Sequence, residues 1–547
     1  MLRNYLKIAL RNLLRQKAFS FINISGLAIG MACSILILLW VQHESSYDRF
    51  HQNADNLYRV TASLAELDVH AGSTPTPLAH AMVTEIPEIR NSVRISPLHS
   101  GLLQVGDRVF EEKNILFVDS TFLKIFSFPL IAGDPETALY NPEGILITEE
   151  MARKYFGDED PLGKTIRKDQ TDDFTVTGVF ANVPENSHIQ FDFVQPMAFL
   201  ARTERDLKEN IWDNFNFFTY VELSETADAS PAALADVGDR IQQIYRANEP
   251  VLKASFTLQP LRQIHLHSTH LIGGFPGGGN VQYVYILSII AIVILAVACI
   301  NFMNLATARS ARRAKEVGLR KVAGAVRAQL IRQFLAESSL IAFLALILAI
   351  LLVAIFITPF NNLSGKNLSL DLLDGQLLTG LLVITLATGL ISGSYPALFL
   401  SGFLPAKVLK GNLKAGAGNS IFRNTLVVMQ FAASIALLIG TAVVYNQLTF
   451  IQNRNLGFNK ENLVYAHMNG VLWDKYATLR TELEGNSLTS DFTVVSDLPT
   501  EVANATIGVE WEGKDPASQP LFVNLAIDEN FFDVFGVTLL SGRAYSK

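Results

Sequence analysis

Five apolar runs divide this chain, at 21–42, 281–307, 334–358, 377–400 and 425–448. Each has about the 20 residues that an α-helix needs to cross the hydrocarbon of a bilayer. The stretch 43–280 between the first two reads differently. Leu57-Tyr58-Arg59-Val60, Ile115-Leu116-Phe117-Val118, Gly144-Ile145-Leu146-Ile147 and 174–179 are short β-rich runs, whereas 73–86 and 232–247 carry helical spacing. The pattern predicts an α-helical integral membrane protein, with five spans in this chain and a large α+β extracytoplasmic domain. The first run is too long for a signal peptide, and Val41-Gln42-His43-Glu44-Ser45 offers no small-residue cleavage site. It is read as a retained span.

The polar and apolar pattern also repeats. Asn53-Ala54-Asp55-Asn56-Leu57 recurs as Asn459-Lys460-Glu461-Asn462-Leu463, and Arg11-Asn12 before the first run recurs as Arg423-Asn424 before the fifth. The run VDSTFLKIFSFPLIAG at 118–133 recurs as IDENFFDVFGVTLLSG at 527–542, aligning Asp119, Phe122, Phe126, Leu130 and Gly133 with Asp528, Phe531, Phe535, Leu539 and Gly542. The three matches keep nearly the same offset, so 449–547 is expected to be a second, incomplete copy of the outer domain. That copy reaches Lys547 where the first has barely passed Gly133, and on this reading the chain is a fragment.

Composition sharpens the membrane reading. Charged residues are 17% of the chain, against about 25% in soluble domains. Both cysteines, Cys33 and Cys299, fall inside apolar runs, which leaves none for a disulfide in the soluble region. The net charge of −7 says little, but its distribution says more. Segment 1–20 holds Arg3, Lys7, Arg11, Arg15 and Lys17 with no acid, and 401–424 holds Lys407, Lys410, Lys414 and Arg423 with none. Segment 308–333 carries eight basic residues (Arg309, Arg312, Arg313, Lys315, Arg320, Lys321, Arg327, Arg332) against the single acid Glu316. Short basic links belong on the cytoplasmic side, so the N-terminus is expected inside and the large domains outside. Basic residues confined to such links do not suggest nucleic-acid binding.

The 308–333 segment is also patterned as a helix, with Val317, Val322, Val326 and Leu330 roughly on one face. Gly318 and Gly324 are unusual there, since each costs about 1 kcal/mol relative to Ala. They either let another backbone approach closely or break the helix in two. The alternative for the whole segment is a topology signal with no further role.

Candidate chemistry is sparse. Residues 157–165, GDEDPLGKT, resemble a phosphate loop but place five residues between the glycines instead of four, three of them acids. A surface turn leading into a strand is expected. His265, His267 and His270 form a histidine cluster, the first two on one face if the segment is a strand, but no carboxylate or cysteine lies close in sequence to complete a metal site. Residues 273–279, GGFPGGG, are read as a flexible joint leading to the second span.

The stretch 300–338, INFMNLATARSARRAKEVGLRKVAGAVRAQLIRQFLAES, resembles the coupling region of MacB/FtsX-type ABC transporter permeases. Glu316-Val317-Gly318-Leu319-Arg320-Lys321 and Gly324-Ala325 are its most specific elements. Tyr395-Pro396-Ala397, with 405–410, resembles the end of the family's fourth span, and 151–157, with 163–166, its periplasmic core domain. The resemblance implies a duplicated subgroup without a fused ATPase domain, resident as a multi-pass protein in the bacterial inner membrane. It implies no cofactor of its own, ATP being bound by a separate ABC ATPase subunit. Lys315, Glu316, Gly318, Arg320, Lys321 and Gly324 would contact that subunit. It further implies mechanotransmission to periplasmic domains, serving export of antimicrobial compounds, peptides or lipoproteins. Lipid is an obligate partner, and a periplasmic adaptor or outer-membrane protein a further one. Pairing is either as a homodimer or between duplicated halves of one chain. Two alternatives stand beside this: a permease that senses peptides or regulates cell-wall hydrolases without exporting anything, and a membrane-anchored enzyme. The sequence offers no catalytic constellation for the latter.

Overall fold

The computed structural model describes residues 11, 15, 17–308, 317–402, 418–468, 472–473, 475–500, 502, 505–506, 509–515 and 520–546. Two units are present: Met1–Ser45 with Val281–Asn453, and Ser46–Asn280 with Arg454–Lys547.

The first unit is built from helices Lys17–Ser45, Val281–Ala308, Arg327–Ser364, Gly375–Ser401 and Gly418–Gln452. All five are long and apolar enough to cross a membrane. The third shows how sequence sets its orientation. Ala342, Ala345, Ala349 and Val353 are fully buried, while Phe343, Ile347, Leu351 and Ile355 stay exposed at i,i+4 spacing, the face suited to lipid. The buried stripe meets Leu27, Met31 and Ile35 of the first helix. Small residues permit close approach, as expected where lipid removes the hydrophobic drive between helices. A Cβ on Gly30 would come within 2.6 Å of the Ala298 Cβ, and one on Gly393 within 2.5 Å of Ser338 Oγ.

The helices run beyond the apolar runs. The third extends 334–358 at both ends, spanning 38 residues, about 57 Å at 1.5 Å per residue. Pro359 does not end it: the helix runs on to Ser364 and Gly365 caps it at φ +65°. The first helix continues past 42 to Ser45. Glu44, 3% exposed, can be buried there because Lys366 Nζ lies 2.8 Å from its Oε1.

The outer domain carries a twelve-stranded sheet. Its strands are β1 (Leu57–Leu64), β2 (Val69–Ala71), β3 (Ile89–Ile95), β4 (His99–Val105), β5 (Arg108–Val118), β6 (Leu130–Gly133), β7 (Gly144–Thr148), β8 (Thr165–Lys168), β9 (Asp172–Phe180), β10 (Phe193–Pro196), β11 (Phe218–Leu223) and β12 (Ser255–Pro260). They lie in the order β10-β7-β9-β8-β4-β5-β3-β11-β1-β12, with β2 on β1 and β6 on β9. The parallel β10–β5 and β7–β9 pairs among antiparallel neighbours make the class α+β. The helix expected over 73–86 is shorter, Leu78–Glu85. Thr74 instead bridges Phe217, and the residues before Pro75 and Pro77 are disfavoured in helical backbone, so the helix starts only at Leu78, with Pro77 as its N-cap. Helix Pro231–Asn248 begins on the Ser230 hydroxyl, which accepts from Ala233 N.

The internal repeat builds the same local unit twice. In the first copy Ile95 pairs with Val118, Ser96 N donates to the Phe117 carbonyl at 2.9 Å, and Phe117 N donates to Ser96 Oγ at 3.0 Å. In the second Val495 pairs with Ile527, Ser496 N donates to the Ala526 carbonyl at 3.0 Å, and Ala526 N donates to Ser496 Oγ at 3.1 Å. Asp119 Oδ2 accepts from Arg94 N at 2.8 Å, as Asp528 Oδ2 accepts from Val494 N at 3.0 Å. Each aspartate is followed by a short helix, Phe122–Ile125 or Phe531–Phe535.

Candidate functional site

The described part of the basic segment, 317–333, is broken in two. Residues 317–322 are helical, 323–324 turn, and a new helix starts at Arg327. Gly324 has φ +93°, which explains the glycine. Its N–H bonds the Lys321 carbonyl at 3.1 Å while Ala325 N bonds the Arg320 carbonyl at 3.0 Å, the two bonds of a Schellman cap. Of the two roles weighed for the glycines, Gly324 therefore serves the break; a Cβ there would meet nothing within 4 Å. Gly318 lies buried in the short helix. Lys315 and Glu316 lie outside the described residues, as do 1–10, 309–314 and 403–417.

The expected single apolar face is split. Val317 and Leu330, each 2% exposed, pack with Phe334, Ala397 and Leu400. Burial of each is worth about 1.5–3 kcal/mol. Val322 and Val326 point away, 66% and 57% exposed, beside Leu319 at 62%. The break at Gly324 rotates the two halves, so the 3.6-residue period does not carry across it.

Basic side chains fasten the segment to neighbouring helices. Lys321 Nζ donates to the Ser401 carbonyl at 2.6 Å and Arg327 Nε to Ser401 Oγ at 3.3 Å. Ser401 is the last residue of the fourth helix, where a cation complements the carbonyl end of the helix dipole, worth about 0.3–1 kcal/mol. Arg320 Nη1 donates to Gln333 Oε1 on the third helix. The structure thus brings Gly318, Arg320, Lys321 and Gly324 onto one platform joined to two spans. Ser401 and Gln333 were missed from sequence, since an ordinary serine 80 residues from Lys321 gives no signal.

Other candidates resolve into structure. Residues 157–165 form a turn in which Lys164 pairs with Glu159 and Asp160 Oδ1 accepts from Leu162 N at 3.1 Å. His265 and His267 lie on a short helix, Ile264–His267, not a strand, and the His265 ring stacks on Tyr47 at 3.3 Å. Among the described residues no three His, Cys, Asp or Glu are grouped to hold a metal. Segment 273–279 is not a loose joint. Phe275 packs against Phe218 at 4.8 Å, and Ile272 bridges Ala71 just before it.

Two family models match the chain: the MacB-like periplasmic core domain over residues 20–238, and the FtsX-like permease C-terminal over residues 288–405. The second includes the whole of 308–333. The uncharacterized ABC transporter permease YvrN of Bacillus subtilis (strain 168) is 22% identical over 419 residues, covering 72% of this chain and 96% of that protein. Among solved structures, a domain of a putative permease protein from Porphyromonas gingivalis is 26% identical, covering 38% of this chain and 92% of that one, with TM-score 0.33. The periplasmic region of MacB from Actinobacillus actinomycetemcomitans is 16% identical, covering 39% of this chain and 91% of that one, with TM-score 0.30.

Proposed function

We propose that this chain, which belongs to the MacB/FtsX-type ABC transporter permeases, converts ATP hydrolysis on a separate cytoplasmic ATPase into movement of its outer domain. The observation that carries this reading is the coupling platform. One side is fixed to the third and fourth helices through Val317, Leu330, Lys321 and Arg320; the other exposes Leu319, Val322 and Val326. An exposed apolar edge rimmed by Arg and Lys suits a groove on a partner protein. A push on the platform enters a 38-residue helix that is unbroken to Ser364. The basic clusters favour a cytoplasmic platform and N-terminus on this reading.

Lys315, Glu316, Gly318, Arg320, Lys321 and Gly324 belong to this contact on our reading, with Arg320 and Lys321 holding the platform's shape. The cargo class we favour is antimicrobial compounds, peptides or lipoproteins handled at the outer face, because ionisable groups are few in the apolar runs and a polar conduit between the helices would need more. A sensing permease would share the platform and differ in moving no cargo.

The test is co-purification. The tagged chain, extracted in mild detergent from its native membrane, is expected to retain an ATP-hydrolysing subunit. Val322→Glu places a charge on the exposed edge and should reduce retention about tenfold or more, as burial of an unpaired charge costs several kcal/mol. Equal retention by Val322→Glu would leave the platform a topology signal only.

A further inference from the structure

A second site lies in the outer domain, around a buried cation. Arg59 on β1 is 2% exposed. Among the described residues no carboxylate lies within ion-pair distance of it. Its two hydrogen bonds both leave Nη2, to Gln259 Oε1 at 2.7 Å and Ser268 Oγ at 2.8 Å. Nε is buried without a partner. The Tyr220 side chain also interacts with the guanidinium, favouring its charged form, and the same hydroxyl meets His188 Nε2 at 2.8 Å. The acid of this network, Asp48, is in turn held by His188 Nδ1 at 2.8 Å, two side chains removed from Arg59. A full positive charge taken out of water with only neutral partners is costly. Neutral groups could bolt β1 to β12 equally well, so the charge calls for a counter-charge.

The remaining nitrogen points to where that counter-charge enters. Nη1 lies under two glycines: a Cβ on Gly72 would stand 3.3 Å from it and 2.8 Å from the Gly273 carbonyl oxygen, and one on Gly274 would stand 3.9 Å from it. Gly273, Gly274 and Gly277 all have positive φ. Ile272 is tied to His70 and Gly72 by backbone bonds of 2.6 and 3.0 Å, and Gly279 N to the His265 carbonyl at 2.8 Å. Between those ties the amides of Gly273, Gly274, Gly277 and Gly278 donate no hydrogen bond among the described residues. Anchored glycines with free amides beside a guanidinium are the elements of an oxyanion cradle.

We propose that Arg59 and the 272–279 loop bind a phosphate group, supplied by a phospholipid headgroup or by free phosphate. The loop ends one residue before the second membrane helix begins at Val281, which brings headgroup phosphates within reach along the chain. This proposal does not depend on ATP coupling.

The experiment uses the full chain in a phosphate-free maltoside detergent and follows thermal unfolding. One arm titrates inorganic phosphate at constant ionic strength. The other adds phosphatidylglycerol, with a galactosyl diacylglycerol as the phosphate-free control. A saturable rise in Tm is expected in at least one arm. A rise with inorganic phosphate assigns a free anion. A rise with phosphatidylglycerol alone assigns a headgroup. Arg59→Met should abolish the rise, and Gly274→Val, which fills the cradle while leaving Arg59 in place, should weaken the apparent affinity about tenfold, as expected for losing a charged hydrogen bond. No rise in either arm, or a rise unchanged in Gly274→Val, overturns the proposal even if Arg59→Met fails to fold.

Discussion

Gly324 holds φ +93°, a left-handed conformation that costs a residue with a side chain about 1–2 kcal/mol. Gly324→Leu should therefore destabilise the purified chain by that amount, while Gly324→Asn, which tolerates this conformation, should lose less than half as much. Denaturant midpoints that rank the two equally would show that the turn is not fixed by this residue. His51 gives a prediction in pH. Burial pushes its pKa down to about 4, opposed by Asp48 and aided by His188; its ring sits between Phe126 and Phe128, and Nδ1 accepts from Ser127 N at 3.1 Å. The folded state thus holds His51 neutral. Its contribution is complete above the unfolded pKa of about 6.5 and is lost as pH falls towards 4, on the order of 3 kcal/mol in all. His99, pushed to about 4 by burial and then by Lys168, adds a second proton in the same window. Tm measured from pH 7 to 4.5 should fall more steeply for the parent than for His51→Asn; parallel curves would remove His51 from the account. At this scale the sequence showed which residues were unusual, Gly324 among them, but not their partners. Lys321 was visible as a cation, whereas the Ser401 carbonyl it caps depends on how two helices meet.

Elements were legible where one physical signal dominated. Five apolar runs became five helices because length and hydropathy suffice for a span. Their ends were not: Glu44 lies in the first helix with Lys366 beside it, and the third helix runs past Pro359 to its Gly365 cap, neither of which the apolar runs show. The amphipathic reading of 317–330 failed for a related reason: one left-handed residue resets the helical phase, so Val322 left the face of Val317. The repeat was legible from five aligned residues, yet its cause is a hydrogen-bond pattern. Asp119 and Asp528 each receive a backbone amide from the neighbouring segment, and Ser96 and Ser496 each exchange two bonds with the residue two before that aspartate. Asp528→Ala should consequently raise amide hydrogen exchange at 492–496 and 526–536 and leave 57–223 unchanged. Asp119→Ala should do the converse. Exchange that is indifferent to Asp528 would mean the second copy holds its fold by other contacts.

For the whole molecule the sidedness rests on charge. Cysteines at Ser310 and Ser420 should be shielded from an impermeant reagent added outside intact cells, and cysteines at Thr226 and Ser487 should be labelled. Labelling of Ser310→Cys from outside would invert the map. Fold class and family were legible because membrane runs and the 316–325 motif survive as linear patterns. The buried Arg59 site was not, since it joins β1 to a glycine loop more than 200 residues later. The central claim is that force applied at the platform reaches the outer domain. Its most direct test is hydrogen exchange across 46–280 in the co-purified permease–ATPase complex, with and without hydrolysable ATP. We predict ATP-dependent changes in the outer domain that vanish with Val322→Glu. Identical exchange with and without ATP in an actively hydrolysing complex would contradict the account.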